Sequence, residues 1–372
     1  MGERILLAGG GTGGHLYPAL NLAAALRRAS PEVEVLLVGA TRGIEARLLP
    51  EAGPPYVLLP MEPLYRTEPW RNWRHVPSLP RVGFGLRKAF RDFDPDLVVG
   101  TGGYASLPAV ALALATGRRT ALQEQNAQPG LVTKLLAPFV DQLHLGYPEA
   151  RHRLRPGRKT EVFAHGNPVA FEAPRDPFPW PEPPVVAVIG GSQGARGLNE
   201  IVLRDLEGAT SWPGGASLVW STGPTHRAEV AARVARLPFA ERIRVVSFVP
   251  GLGAQLDAVT VAVCRAGAMF CAELAAAGVP AVFVPFPAAA AHHQRHNALA
   301  LAEAGAALVF EEGTLASGEL WEVVLGLLRE ESRLLRMSRA MRARGRPEAA
   351  DRTARELLRL LSSERGEHGG DG

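Results

Sequence analysis

Residues 4–29 read RILLAGGGTGGHLYPALNLAAALRRA, and the reading of the whole chain turns on them. Arg4–Ala8 is a short apolar run cut off at once by glycine, as a buried parallel strand is. Pro18–Ala29 has helical spacing, with Leu20, Leu22, Ala23 and Leu26 apolar and Arg27 and Arg28 at its basic end. Gly9, Gly10, Gly11, Gly13 and Gly14, followed by His15, therefore fill a strand-to-helix junction. Bare amides and the positive end of a helix meet there, and glycine allows both the tight turn and a close ligand, so an anion such as phosphate fits. The spacing Gly9-x-Gly11-x-x-Gly14 also matches the dinucleotide fingerprint. That fingerprint calls for an acid about 20 residues further on, to hold a ribose. Here the second strand, Val33–Val38, ends in Gly39, Ala40 and Thr41, and Glu45 comes a turn too late. This argues against a nicotinamide or flavin dinucleotide; a tight turn without a ligand is the plain alternative.

The same unit recurs along the chain. Glu34–Val38, Tyr56–Leu59, Leu97–Val99 and Thr120–Gln123 read as further strands of the first half. Val185–Ile189, Ser217–Trp220, Ile243–Phe248, Val261–Cys264, Ala281–Val284 and Ala307–Phe310 read as strands of the second, with helical stretches between. Alternation of this kind gives an α/β fold with two Rossmann-like, doubly wound parallel-sheet domains. The length of 372 residues agrees with two domains. Between Pro174 and Pro184 the chain reads PRDPFPWPEPP, which cannot form a regular element. The expected division is residues 1–170, a proline-rich linker 171–184, a second domain 185–340, and a C-terminal helix with a frayed tail, 341–372. Two such domains face each other across a cleft at the C-terminal edges of their sheets, where ligands of open α/β folds bind.

The totals exclude several classes. Net charge is +4 and the hydrophobic fraction 47%, so the chain is mildly basic and globular. Cys264 and Cys271 stand in apolar surroundings and read as free thiols of a reducing compartment, not as a disulfide framework or zinc site. The first residues lack a signal-peptide layout, and no run approaches 18 apolar residues.

Three glycine loops follow strands: Gly9–Gly14, Gly100–Tyr104 and Gly190–Ala195. One dinucleotide needs one such loop, so three suggest two phosphorylated ligands, one per domain. Ser192 is placed to add a hydroxyl donor to a diphosphate. Glu273, one turn inside a helix after Gly267, can accept two hydroxyl hydrogen bonds from a ribose, or is a solvated helix glutamate. His292, His293, Gln294, Arg295, His296 and Asn297 suit sugar hydroxyls better than a metal, because no general-base glutamate lies between the i,i+4 histidines. Asp92, Asp94 and Asp96 precede a strand at its wrong end and read as a charged turn.

Tyr65–Arg91 is locally basic and aromatic, with Trp70, Trp73, Arg74, Phe84, Arg87 and Lys88 among its residues and Glu68 its one acid. Such a stretch suits the interface of an anionic membrane. A nucleic-acid surface or an ordinary helix pair would look similar, but the basicity is local and a peripheral membrane contact, without nucleic acid, is preferred.

GGGTGGHLYPAL, GTGGYASLP, QEQNAQPGLVTKLLA, HGNPV, GGSQGARGLN, CRAGAMFCAELAAAGVPAVFVPFP and HQRHNA follow one another in order between Arg4 and Phe310. In these motifs the chain resembles the MurG-type N-acetylglucosaminyltransferases of bacterial peptidoglycan synthesis. The resemblance implies the two-domain GT-B architecture and an enzyme at the cytoplasmic face of the cell membrane. Such an enzyme moves GlcNAc from UDP-GlcNAc to the MurNAc 4-hydroxyl of lipid I, giving lipid II, with other cell-wall synthesis proteins as possible partners. It places the lipid-linked diphosphate and acceptor sugar at the first glycine loop, beside Gly102 and Gly103. It gives Ser192 to the UDP diphosphate, Glu273 to the ribose, the Val249 backbone to uracil, and Ala268, Met269, Phe270, Cys271 and Ala272 to the donor turn. Gln294 would hold the sugar, and Asn126 with Thr12, Gly13 and Gly14 would close on the GlcNAc. Single displacement then inverts α to β, with His15 as the base, Glu124 and Tyr104 as rivals, and Arg265 with the Gly191–Gly194 amides behind the leaving group. No tightly bound cofactor or metal is required, and stimulation by a divalent cation is left open. The chain departs from the family at Gln123, where a histidine is usual, at Ala170, where an arginine is usual, and at Ala288–Ala291, where polar residues are usual. A GT-B transferase of other specificity and a non-catalytic nucleotide-sugar sensor are the competing readings.

Overall fold

The computed structural model describes residues 2–62, 70, 73, 78–191 and 193–362, with backbone alone at 51 and 52. Two units emerge: Met1–Val169 with Pro347–Gly372, and Ala170–Arg346. The first contains β1 (Arg4–Ala8), α1 (Gly13–Ala29), β2 (Glu34–Ala40), α2 (Glu45–Ala52), β3 (Tyr56–Leu59), α3 (Leu79–Phe93), β4 (Leu97–Gly100), α4 (Ser106–Ala115), β5 (Arg119–Glu124), α5 (Leu131–Leu136), β6 (Gln142–Leu145) and β7 (Glu161–Phe163). The second contains β8 (Val185–Ile189), α6 (Arg196–Glu207), β9 (Ser217–Ser221), α7 (Arg227–Val234), β10 (Ile243–Val246), β11 (Val261–Cys264), α8 (Ala268–Ala277), β12 (Ala281–Phe283), α9 (His293–Ala302), β13 (Ala307–Val309), α10 (Glu319–Arg329) and α11 (Glu331–Arg344). The chain then returns to the first unit as α12 (Ala349–Ser362).

Among the described residues the sheet orders are β3-β2-β1-β4-β5-β6-β7 and β10-β9-β8-β11-β12-β13. Ile5 pairs with Val35 on one side and Leu97 on the other, and Val186 lies between Leu218 and Val261, all in parallel register. Strand order thus reverses at β1/β4 and at β8/β11. Loops leaving the two strands of a reversal point diverge to opposite faces, which opens a crevice at the carboxyl end of each sheet. The expected pair of Rossmann-like units is present, and the sequence-derived boundaries of β1, β3, β8 and β11 coincide with the observed ones.

Burial explains the strands. Ile5, Leu6, Leu7 and Ala8 are all fully buried, because helices cover both faces of a parallel sheet. Leu6 and Ala8 join one core with Leu86, Phe90, Val110 and Leu136, from α3, α4 and α5. Ile5 and Leu7 join the other with Leu16, Leu22 and Leu26 of α1 and with Ala350, Ala354, Leu357 and Leu360 of α12. The segment 341–372, set apart in the sequence reading as a C-terminal helix and tail, therefore divides. Its start belongs to unit 2, and its helix closes the core of unit 1. The proline-rich segment carries no helix or strand, as expected, yet it is held against unit 2. Phe178 N–H donates to Gln255 Oε1 at 2.7 Å, and the Arg244 guanidinium lies 4.3 Å above the Phe178 ring. Asp94 and Asp96 are the expected charged turn. Asp94 accepts from Arg4 (2.8 Å) and Arg118 (2.6 Å), and Asp96 accepts the Arg4 amide at 2.7 Å.

Candidate functional site

In unit 1 the loops after β1 and β4 meet at the reversal point. Helix α1 begins at Gly13, five residues before the apolar spacing announced it, so His15 stands in its first turn. Thr12 caps the helix without a side-chain hydrogen bond. The Gly13 and Gly14 amides have no intrahelical acceptor and open toward the loop. The His15 ring packs against Gly102 and Gly103: a Cβ at Gly102 would stand 2.6 Å from Nδ1, and one at Gly103 would stand 3.1 Å from Cδ2. Nδ1 is buried. Thr101 Oγ1 donates to the His15 carbonyl at 2.8 Å, and Ser106 Oγ donates to Ala8 O and Gly102 O, which locks the two loops together. Tyr104 covers Gly11, where a Cβ would come within 2.6 Å of its ring, and its hydroxyl donates to Arg42 O at 2.9 Å. Burial, then the carboxylates of Glu45 and Glu62, push the Tyr104 phenol above its ordinary value. It therefore keeps its proton near neutrality and suits a donor's role better than a base's.

Glu124 is placed differently from its expected part. It is almost fully buried, and its two oxygens accept four hydrogen bonds: from the Asn126 amide (3.0 Å) and Nδ2 (3.2 Å), and from the Gly130 amide (2.9 Å) and Thr133 Oγ1 (2.6 Å). With every lone pair engaged, it ties the start of α5 to Asn126 and leaves no open place for a substrate proton. Gln123 is fully buried, and its side-chain amide has no partner among the described residues.

In unit 2 the loop after β8 interlocks with the loop after β9. A Cβ at Gly194 would overlap Thr222 O, and one at Gly223 would overlap Gln193 O. Helix α6 starts behind this loop with no side-chain cap on Ala195. Ser192 lies outside the described residues. At the partner strand of the reversal, α8 starts after Gly267, also without a side-chain cap. Ala268, Met269 and Cys271 are buried, and the Cys271 amide donates to Gly267 O at 2.9 Å; Phe270 and Ala272 are half-buried. Val249 is buried beside Val185 and Val219, and its side chain likewise serves the core.

Glu273 is the exception on α8. Its carboxylate lies under Gly253, where a Cβ would come within 3.1 Å of Cδ, and among the described residues it has no hydrogen-bond partner. Burial pushes it up to about 7. Gln294 spends its Oε1 on the Phe286 amide at 2.9 Å and keeps its NH₂ for another acceptor. Asn297 is fully buried and donates to Ala266 O at 3.2 Å, bracing the turn into α8. Arg265 is mostly buried; it donates to Val284 O (2.9 Å) and Pro285 O (3.2 Å) and pairs with Glu312. Its charge is already answered, which makes it a brace of the strand end instead of a free cation for a diphosphate. Glu312 was not singled out in the sequence, because its partner is 47 residues away.

Trp70, Trp73 and Phe84 are exposed at 67%, 67% and 69%, while Phe90 of α3 turns into the core. Arg87 and Lys88 of α3 are exposed beside Phe84. Arg74 lies outside the described residues. Among the described residues no helix is long and apolar enough to cross a membrane.

Residues 5–145 match the glycosyltransferase family 28 N-terminal domain, and residues 185–353 match its C-terminal domain. The chain is 39% identical over 97% of its length to the whole UDP-N-acetylglucosamine–N-acetylmuramyl-(pentapeptide) pyrophosphoryl-undecaprenol N-acetylglucosamine transferase of Chlorobaculum parvum. It is 38% identical, over the same share, to the enzyme of that name from Moorella thermoacetica. The crystal structure of Acinetobacter baumannii MurG superposes with a TM-score of 0.75 at 26% identity, covering 96% of this chain and 99% of that one. The calicheamicin glycosyltransferase CalG4, at 18% identity and a TM-score of 0.66, shares the fold.

Proposed function

The chain belongs to the family of UDP-N-acetylglucosamine–N-acetylmuramyl-(pentapeptide) pyrophosphoryl-undecaprenol N-acetylglucosamine transferases, and on that premise we propose how its residues divide the reaction. The enzyme transfers GlcNAc from UDP-GlcNAc to lipid I, forming lipid II. In our reading unit 2 holds the donor and unit 1 the acceptor. The observation that carries this division is Glu273: a half-buried carboxylate with no described partner, on the helix that leaves β11, is what two ribose hydroxyls require. The Gln294 amide then turns to the sugar, and the amides of the Gly190–Gly194 loop with the start of α6 meet the diphosphate.

The acceptor sugar rests on the amides of Gly13 and Gly14, beside His15, Gly102, Gly103 and Asn126. Its 4-hydroxyl attacks the anomeric carbon from the face opposite UDP. The new C–O bond forms as the bond to the diphosphate oxygen breaks, and His15 Nε2 takes the hydroxyl proton. Charge gathers on the departing diphosphate, where the positive end of α6 stabilises it. The configuration of the product tests the displacement. A β-linked GlcNAc by ¹H NMR of the disaccharide is expected, and an α-linkage would overturn it.

The exposed Trp70, Trp73, Phe84, Arg87 and Lys88 support a peripheral contact with the anionic leaflet that carries the acceptor. Co-sedimentation with phosphatidylglycerol vesicles is expected to fall at least about tenfold for the Trp73→Ala/Phe84→Ala double variant, since each ring buries well over 100 Å² of apolar surface. Equal binding by both proteins would remove this face from the account.

A further inference from the structure

Glu45 is fully buried at the start of α2, inside the glycine loop of unit 1. Its Oε1 accepts the Gly11 amide at 2.6 Å and the Ala40 amide at 3.3 Å. Three glycines make room for it. A Cβ at Gly10 would overlap Oε1, one at Gly43 would overlap Oε2, and one at Gly39 would come within 2.9 Å of Cγ. Gly10 does not have a positive φ, so its lack of a side chain answers to space alone. Gly11 does, at φ +93°, and Tyr104 packs on it. The carboxylate thus takes the amide that an anion would otherwise claim in this loop, and leaves Gly13 and Gly14 as the open donors.

We propose that Glu45 is the positioning residue of the acceptor half-site, an internal anion that fixes Gly11, and with it the Tyr104 ring, in the shape that meets the acceptor. This rests on unit 1 being the acceptor side. Glu45 touches no substrate; it acts through Gly11.

A double-mutant cycle with Gly10→Ala and Glu45→Ala tests it, read as separate KM values for a lipid I analogue and for UDP-GlcNAc. Glu45→Ala is expected to raise the acceptor KM about 10- to 100-fold, the factor carried by one lost charge-assisted hydrogen bond, and to leave the donor KM within about twofold. Gly10→Ala alone does the same, by evicting the carboxylate. In the Glu45→Ala background the added methyl fills vacated space, so Gly10→Ala costs less than about threefold more. Glu45→Gln, which keeps an oxygen acceptor for Gly11, returns the acceptor KM to within about threefold of the native value. If Glu45→Ala does not fold, as judged by lost UDP-GlcNAc binding, Gly10→Ala and Glu45→Gln carry the same contrast. Additive effects, or a Glu45→Gln protein as poor as Gly10→Ala, would overturn the proposal. An unchanged acceptor KM in Glu45→Ala would sink it while leaving the acceptor reading of unit 1 intact. A shift in donor KM alone would sink that reading instead.

Discussion

His15→Ala lowers kcat by about 10²- to 10⁴-fold and leaves UDP-GlcNAc affinity within about twofold, the range a positioned general base supplies. Histidine is the side chain whose ordinary titration spans neutral pH, and the fold holds this one in the first turn of α1 with its ring on Gly102 and Gly103. The two rivals are placed otherwise. Glu124 has four donors on its oxygens, and Tyr104 retains its proton and donates a hydrogen bond to Arg42 O. Glu124→Gln should therefore act mainly on stability, by loosening the hydrogen bonds from Asn126, Gly130 and Thr133, and Tyr104→Phe should cost much less turnover than His15→Ala. Steady-state kinetics beside isothermal titration of UDP-GlcNAc separates these effects. A His15→Ala protein that turns over within tenfold of the native rate would return the base to another group.

Glu273→Ala weakens UDP-GlcNAc binding by about 10²-fold or more, since two hydroxyl bonds to a carboxylate are lost at once. The same residue makes the native affinity depend on pH. In the free protein its carboxyl titrates at about 7, because burial disfavours the charge. Ribose hydroxyls bind the charged form, so binding releases a proton wherever the free protein holds one. Affinity is then flat above pH 7 and falls below it, approaching tenfold per pH unit. Titrations from pH 5.5 to 8.5 show this for the native protein and not for Glu273→Gln. The shift also has a stability side. The folded protein holds this proton more tightly than the unfolded chain, whose carboxyl titrates near 4.5. Stability is therefore lost as pH rises from about 4.5 to 7, and Glu273→Gln should melt higher than the native protein at pH 8 while binding the donor worse. An affinity that stays constant down to pH 5.5 would take Glu273 away from the ribose.

The residues that sequence could place are those whose setting is local. Arg4–Ala8 into glycine into helix is contiguous chain, and the strand-glycine-helix signals at 97–106 and 185–196 are too; each glycine loop lies where its neighbours said it would. The strands β6 and β7 escaped because Gln142–Leu145 alternates polar with apolar residues and Glu161–Phe163 is three residues long at a sheet edge. The docking of α12 escaped because its Leu357 and Leu360 meet α1 more than 300 residues away, and no spacing within the helix names that partner. The same limit governs the site. Glu45 was set aside as standing too late for a ribose, and it does return to the loop, but to its backbone. Arg265 is the cation its position suggests, yet Glu312 has claimed it. Asn297 reads from the sequence as an amide for sugar hydroxyls, and the fold sets it on Ala266 O. Position in a loop was legible; which charge had already been answered was not.

The division of labour between the two units is tested most directly by transfer of labelled GlcNAc to a lipid I analogue, with UDP-Glc and UDP-GalNAc as competing donors. The account predicts turnover from UDP-GlcNAc with little transfer from either competitor, and a product carrying one added GlcNAc. Tight binding of UDP-GlcNAc without transfer, or equal transfer from UDP-Glc, would contradict it.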